Sequence, residues 1–392
     1  MDKDGKVRFG VVGLGNMGGH HISYLNQIDG AVLTAVCDAD KPRVEKYGKG
    51  DIGKFTNYND MLGSGMIDAI LIATPHFQHG EIARAAFAKN IHVLCEKPVA
   101  VTVKDARRTN EAHAKTPHLK YGLMLQMRAT QLYKKMRDLV AGGDLGEITR
   151  ATWLITDWFR TWSYFASGGW RATWSGEGGG VLINQCPHNL DLIQWVTGLS
   201  PARVTAVAFV GKTHPIETED EVSAIIEFQN GAIGHFVTST GEAPGTNRFE
   251  IAGDRGKLIA EHGKLTFHRT RKSVREIREK DPAAFAQVES WEIDIPVKAD
   301  SAESHKPMTQ NFVNAVLKNE PLIAPGEDGV KGLELGNAML MSGLTRTPVD
   351  FPVDGDQFEQ FLKDLDKKYG GKKTLQERKD IVSDMAASFS KP

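Results

Sequence analysis

Apolar positions set two rhythms along the chain. In the first third, short and nearly continuous apolar runs alternate with helical patterns. Val7, Phe9, Val11 and Val12 mark one strand, and Ala31 to Cys37 a second. Asp68 to Ala73 marks a third, Ile91 to Cys95 a fourth and Leu119 to Gln126 a fifth. Between them, Pro42 to Tyr47, His79 to Lys89 and Val103 to Ala114 read as helices. Continuous apolar strands suit a parallel sheet covered on both faces. Strand–helix alternation at this spacing predicts βαβ units.

Near residue 147 the rhythm changes. Glu147 to Thr156 reads as a strand, followed by an aromatic loop and one helix. Strands are then expected at Arg203 to Val210, Val222 to Phe228, Ile233 to Thr240, Arg248 to Ala252, Lys257 to Glu261 and Leu265 to Arg269. Val222, Ala224, Ile226 and Phe228 alternate with polar residues, and Asn230-Gly231 and Asp254-Arg255-Gly256 are turn signals. This predicts an antiparallel sheet in a second unit of α+β type. Two late helices, Met308 to Lys318 and Asp328 to Leu344, are expected to pack back between the units. Asp356 to Ser390 is charged and reads as a peripheral helix or tail without a site. The predicted organisation is an α/β unit over residues 1–128, an α+β unit over 129–350 and a peripheral segment over 351–392.

Composition narrows the function classes. A chain of 392 residues, 41% apolar and 25% charged, has room for two globular cores. A net charge of −1 provides no field for nucleic acid or an anionic membrane. Met1 to Lys6 holds no apolar signal core, and no apolar run approaches the roughly 20 residues of a membrane span. Cys37, Cys95 and Cys186 lack metal or disulfide spacing. A cytoplasmic protein without a metal site is expected.

The ends of the first-unit strands carry the first candidate chemistry. Gly13-Leu14-Gly15-Asn16-Met17-Gly18 follows the first strand and opens a helix. Gly13 permits a tight turn, Gly15 lets a pyrophosphate approach the backbone, and Gly18 lets helix and strand pack. Asp38 lies 20 residues beyond Gly18, at the end of the second strand, where a carboxylate can accept from ribose hydroxyls. This predicts a dinucleotide site made by Gly13, Gly15, Asn16, Met17 and Asp38, with Thr74, Pro75, His79, Glu96, Lys97 and Gln126 at the remaining strand ends. Asp38 would crowd a 2′-phosphate, so NAD is favoured; Lys41 and Arg43 leave NADP open.

Lys97 stands before Pro98, which restricts its backbone and aims it. A partly desolvated lysine there could hold a substrate hydroxyl and move its proton. Val181 to Thr197 reads as a helix that Pro187 either tolerates or kinks. Asn184, His188 and Asp191 then share one face. A histidine can take a hydroxyl proton as hydride leaves carbon, with Asn184 or Asp191 fixing its tautomer. Five of seven tryptophans fall between Trp153 and Trp174, with Arg160, Tyr164 and Arg171 among them. Trp170 with Arg160 and Arg171 suits a sugar ring; a loop core or subunit interface is the alternative.

With the glycine turn, Glu96-Lys97-Pro98 and Gly178 to Asp191, the chain resembles the Gfo/Idh/MocA oxidoreductases over about residues 5 to 350. The resemblance implies a Rossmann domain and an α+β domain with a large open, mainly antiparallel sheet. It implies NAD or NADP and hydride transfer at a ring carbon of a sugar, glycoside or cyclitol. Its motif lysine matches Lys97 and its motif histidine His188. Many members carry Asp where this chain has Asn184, which removes a carboxylate from beside the histidine. The open sheet face would be covered in a homodimer or homotetramer. Two other readings use the same residues: glycoside cleavage by transient oxidation and elimination, and a non-catalytic dinucleotide sensor.

Overall fold

The computed structural model describes residue 1, residues 3–298 and residues 305–378. The first sheet contains β1 (Val7–Val12), β2 (Ala31–Cys37), β3 (Gly53–Phe55), β4 (Ala69–Ile72), β5 (His92–Cys95) and β6 (Tyr121–Leu123). Its order is β3-β2-β1-β4-β5-β6, and every pair is parallel. All four residues of β4 are buried, as expected of a central strand between helical layers. The strand order reverses between β1 and β4. At such a switch point a crevice opens beyond the strand ends, and here it lies between Gly13 and Thr74.

Two pieces of this unit escape the apolar pattern. β3 is three residues with only partial burial, and the helix Tyr58–Gly63 is a short turn capped by the Asn57 side chain. β6, expected over Leu119 to Gln126, is shorter than expected, and Gln126 opens a 3-10 turn instead of ending a strand.

The second sheet contains β7 (Ile148–Ile155), β8 (Pro201–Val210), β9 (Glu219–Phe228), β10 (Ile233–Ser239), β11 (Asn247–Gly253), β12 (Gly256–Glu261), β13 (Lys264–Thr270), β14 (Ser290–Ile295) and β15 (Val349–Asp350). Its order is β14-β13-β12-β11-β7-β10-β9-β8-β15. One pair, β7 with β10, runs parallel, so the sheet is mixed. A parallel pair needs a long crossover, and here the crossover carries the aromatic loop, the glycine run and the His188 helix. β14 and the helix Val274–Lys280, also missed in the pattern, extend the far edge; that helix buries no residue.

One face of the second sheet packs on the helices Pro187–Thr197 and Gly329–Thr345, where the Ser342 hydroxyl accepts from the Ala206 amide at 3.0 Å. The other face points outward with Val207, Phe209, Ile225 and Ile233 exposed. The helix His305–Lys318 lies against the first sheet, its Phe312 ring 6.0 Å from that of Phe9. Arg128 locks the junction. It is 2% exposed, grips both oxygens of Asp191 at 2.6 and 2.8 Å, and reaches Asp328 at 2.9 Å.

Candidate active site

The glycine turn divides its labour. Gly13 has φ +85°, and a Cβ there would lie 2.5 Å from the Ala73 carbonyl oxygen. A Cβ on Gly18 would meet the Gly13 carbonyl oxygen at 1.8 Å. Both positions are closed by backbone. Gly15 is open, with only an Arg43 nitrogen 3.9 Å away. It precedes the helix Asn16–Leu25, whose first turn has no side-chain cap. Unspent N–H groups at a helix start attract anions. Asp38 is held where a ribose would need it: Oδ2 accepts from the Leu14 amide at 2.6 Å and Oδ1 from the Asp40 amide at 2.8 Å. Arg43 stands 3.7 Å from that carboxylate. Asn16 is exposed and Met17 half-buried at the mouth of the turn. These residues fit a dinucleotide.

The other strand ends have distinct tasks. Thr74 Oγ1 and Gln126 Oε1 are buried without a hydrogen-bond partner among the described residues, so each retains capacity toward the crevice. His79 was expected to touch the cofactor, and its geometry corrects this. Its ring is buried, with Nδ1 2.6 Å from the Pro98 carbonyl and Nε2 2.8 Å from the Thr74 carbonyl. Each ring nitrogen faces a backbone carbonyl, and whichever carries the proton donates to one of these two strand-end loops. Glu96 is likewise turned inward. Its Oε1 meets His21 Nε2 at 2.7 Å and its Oε2 accepts from the Lys97 amide at 3.2 Å. Burial opposes its charge, but the bond to His21 prevails and holds the carboxyl down at about 2.

Lys97 projects from this platform into the second unit. Its Nζ donates to the Asn184 carbonyl at 2.8 Å. Burial pushes its pKa down; Glu96 opposes the shift and Arg171 reinforces it. His188 is buried beside it, and its Nδ1 has no partner among the described residues. Burial, reinforced by the charge of Lys97, lowers this imidazole to about 3, so it is neutral near pH 7. A neutral ring with an unspent nitrogen can accept a proton.

The expected single helix is two. Val181–Asn184 ends before Gln185-Cys186, and Pro187 starts Pro187–Thr197 at its first position. Proline has no N–H and clashes with the carbonyl four residues back, so it breaks a helix but begins one well. Asn184 therefore does not share a helical face with His188 and Asp191. Asp191 is corrected too: both its oxygens are bound by Arg128, which leaves it a structural partner, not a substrate ligand. Asn184 serves in two ways. Its carbonyl receives Lys97, while its Nδ2 donates to Glu177 Oε1 and, at 3.3 Å, to the Tyr164 hydroxyl.

Glu177 is the residue that pattern reading missed. It is 1% exposed, accepts from the Ala172 amide at 2.5 Å and lies 3.9 Å from Arg171 Nη1. Burial raises its pKa. Its carbonyl takes a hydrogen bond from His76 Nδ1 at 3.1 Å, which joins the glycine run to the loop after β4. The available signal was a lone acid at the head of Gly178-Gly179-Gly180. Tyr164, expected only as part of the aromatic loop, has a role of its own. Its hydroxyl gathers Arg171 at 3.0 Å, Gln185 at 3.2 Å and Asn184.

The tryptophans separate. Trp153 and Trp174 are buried, and Trp153 stacks on Phe249 at 4.3 Å, so both belong to core packing. Trp170 stays at the site, its ring 5.5 Å from that of His76. Arg171 lies 4.8 Å from the Trp170 and Tyr164 rings, and Arg160 lies 5.1 Å from Tyr164.

A dinucleotide crevice facing a buried lysine and histidine defines an NAD-binding oxidoreductase. Residues 7–121 match the family described as "Oxidoreductase family, NAD-binding Rossmann fold", and residues 133–259 match the "GFO/IDH/MocA C-terminal domain". The chain belongs to the Gfo/Idh/MocA oxidoreductase family. It is 25% identical to a 1,5-anhydro-D-fructose reductase of Ensifer adhaerens, covering 86% of this chain and 96% of that one. It is 24% identical to a myo-inositol 2-dehydrogenase of Thermotoga maritima, covering 85% and 95%. Among solved structures, the WlbA dehydrogenase from Bordetella pertussis in complex with NADH and UDP-GlcNAcA shares the fold, with a TM-score of 0.74 and 24% identity over 89% of this chain and 100% of that one.

Proposed function

We propose that this protein oxidises a ring CH–OH of a sugar, glycoside or cyclitol, with Lys97 and His188 as the proton-handling pair. The observation that carries the reading is Lys97 Nζ seated on the Asn184 carbonyl, its charge acting on buried His188, whose Nδ1 has no partner among the described residues. Gly13, Gly15, Asn16, Met17 and Asp38 would hold NAD, with Thr74, Pro75 and Gln126 lining its inner end. NAD supplies the hydride acceptor. Lys97 binds the reacting hydroxyl and orients it. As hydride leaves the ring carbon, the hydroxyl proton passes to His188 Nδ1 and the C–O bond becomes a carbonyl. Glu177 and Tyr164 hold Asn184 and Arg171 in place, while Trp170, Arg171 and Arg160 meet the ring. This supplies a carboxylate to the site by another route than residue 184.

The names of the two relatives above support the substrate class. The division into residues 1–128, 129–350 and 351–392 is part of the same reading. The outward Val207, Phe209, Ile225 and Ile233 support a homodimer or homotetramer through the second sheet. Three buried, free cysteines support a reducing, cytoplasmic setting. Among the described residues no helix is long and apolar enough to cross a membrane.

The test is NADH formation by the purified protein with NAD, then NADP, against free sugars, inositols, sugar acids and glycosides. Turnover with one class establishes the reading. Silence on every class, with NAD bound to the protein, would replace it by transient oxidation with elimination.

A further inference from the structure

Beyond the helix Gly355–Tyr369, residues 370–378 stay on the molecule. Residues 370–378 cross the outer side of the aromatic loop, and a series of contacts holds them there. The buried carboxylate of Glu217 accepts from the Gly371 amide at 2.9 Å and the Lys373 amide at 3.4 Å. The Thr374 amide donates to the Pro215 carbonyl, and the Arg378 amide to the Ala166 carbonyl at 2.9 Å. Leu375 packs on the small cluster of Phe165, Ala172 and Ile216. The Lys373 ammonium donates to the carbonyls of Gly168 and Arg171, at 3.3 and 2.8 Å.

Those two carbonyls bracket Trp170. On their inner side, Ala172 donates to Glu177 and Arg171 donates to Tyr164. The segment Gly168–Ala172 is thus clamped between the site and the C-terminal strap. The bonds from the strap to this segment both come from one side chain, the Lys373 ammonium. Residues 370–378 also lie beyond both segments that match the family. A segment beyond the matched regions that touches the substrate loop and the Pro215–Glu217 turn behind it suits specificity better than shared chemistry.

We propose that residues 370–378 form a strap that sets the grip on substrate, and that Lys373 is the positioning residue through which it holds Trp170 and Arg171. This rests on the sugar-site reading above. With the strap seated, Trp170 and Arg171 form a fixed wall that accepts a narrow range of rings. With Lys373 removed, the wall loosens, while Lys97, His188 and the dinucleotide crevice stay as they are.

The test compares full-length wild type, Lys373→Met, Lys373→Arg and Leu375→Asp. Hydrogen exchange of amides 162–172 is measured without substrate, and KM and kcat with the best sugar from the panel. The expected result for Lys373→Met is faster exchange of those amides and a substrate KM raised roughly tenfold, from losing both charge-assisted bonds that hold the loop. The kcat and the NAD KM should stay close to wild type. Lys373→Arg should restore the KM, and Leu375→Asp should reproduce the loss. Unchanged exchange in both Lys373→Met and Leu375→Asp would overturn the proposal. So would faster exchange with an unmoved KM, which would make the strap ordinary packing. Silence of the wild type on every sugar would defeat the function reading; exchange alone then decides the strap.

Discussion

The two walls of the cleft are built in opposite ways. The first-unit wall is backbone. Gly13 and Gly18 are pressed against carbonyls, Asp38 is fixed by two main-chain amides, and His79 ties two loops by their carbonyls. The facing wall is side chains. Tyr164, Arg171, Glu177 and Asn184 hold one another within one loop, and Lys373 reaches that loop from the far end of the chain. A backbone wall tolerates few substitutions and suits a constant ligand. A side-chain wall can be retuned one residue at a time and suits a substrate that differs between relatives. Between the two stands Lys97, anchored in the first and hydrogen-bonded to the second.

The comparison can be broken hardest at Gly13. Alanine there meets the Ala73 carbonyl and must adopt a left-handed backbone. We expect Gly13→Ala to cost about 3 kcal/mol or more and to abolish NAD binding, seen by thermal unfolding and a cofactor titration. A stable, NAD-binding variant would show that the backbone wall yields.

The junction comes next. Arg128→Met strands the buried carboxylate of Asp191 and should destabilise by about 3–5 kcal/mol in urea unfolding. Arg128→Met with Asp191→Leu should recover much of that loss. Substrate KM should stay close to wild type in the double variant. A large KM change without lost stability would return Asp191 to the substrate site.

On the side-chain wall, Glu177→Gln keeps the shape but removes the charge facing Arg171. Substrate KM should rise roughly tenfold with little change in NAD affinity. An unmoved KM would take Glu177 out of the site.

The remaining effect is a slope. Burial holds His188 at about 3 and lowers His76 and His305 as well. The unfolded chain protonates such rings near 6.5, so between these values it binds more protons than the folded chain. Stability therefore declines as pH falls below about 6.5, by up to about 1.4 kcal/mol per unit for each such ring. His188→Gln should flatten the slope in unfolding measured from pH 7 to 5.

The same contrast explains what pattern reading could reach. The glycine turn, Asp38 and the lysine before Pro98 are local: spacing along one βαβ unit implies their geometry. The alternating strands of the second sheet are local as well. The Arg128–Asp191 pair spans 63 positions, and the contacts of Lys373 with the aromatic loop span more than 200. No periodicity announces such partners. Asp191 has helical spacing from His188 yet turns to Arg128. Glu177, in a glycine loop with no period, escaped for the converse reason. The expected tail without a site, Asp356 to Ser390, falls partly outside the described residues; its described part is the helix Gly355–Tyr369 and the strap.

The most direct measurement is single-turnover NADH formation by Lys97→Met beside wild type, at saturating NAD and the best sugar. Lysine as proton handler predicts a rate lower by about 10²–10⁴-fold with NAD binding intact. A rate within threefold of wild type would remove Lys97 from the chemistry and with it the account of the cleft.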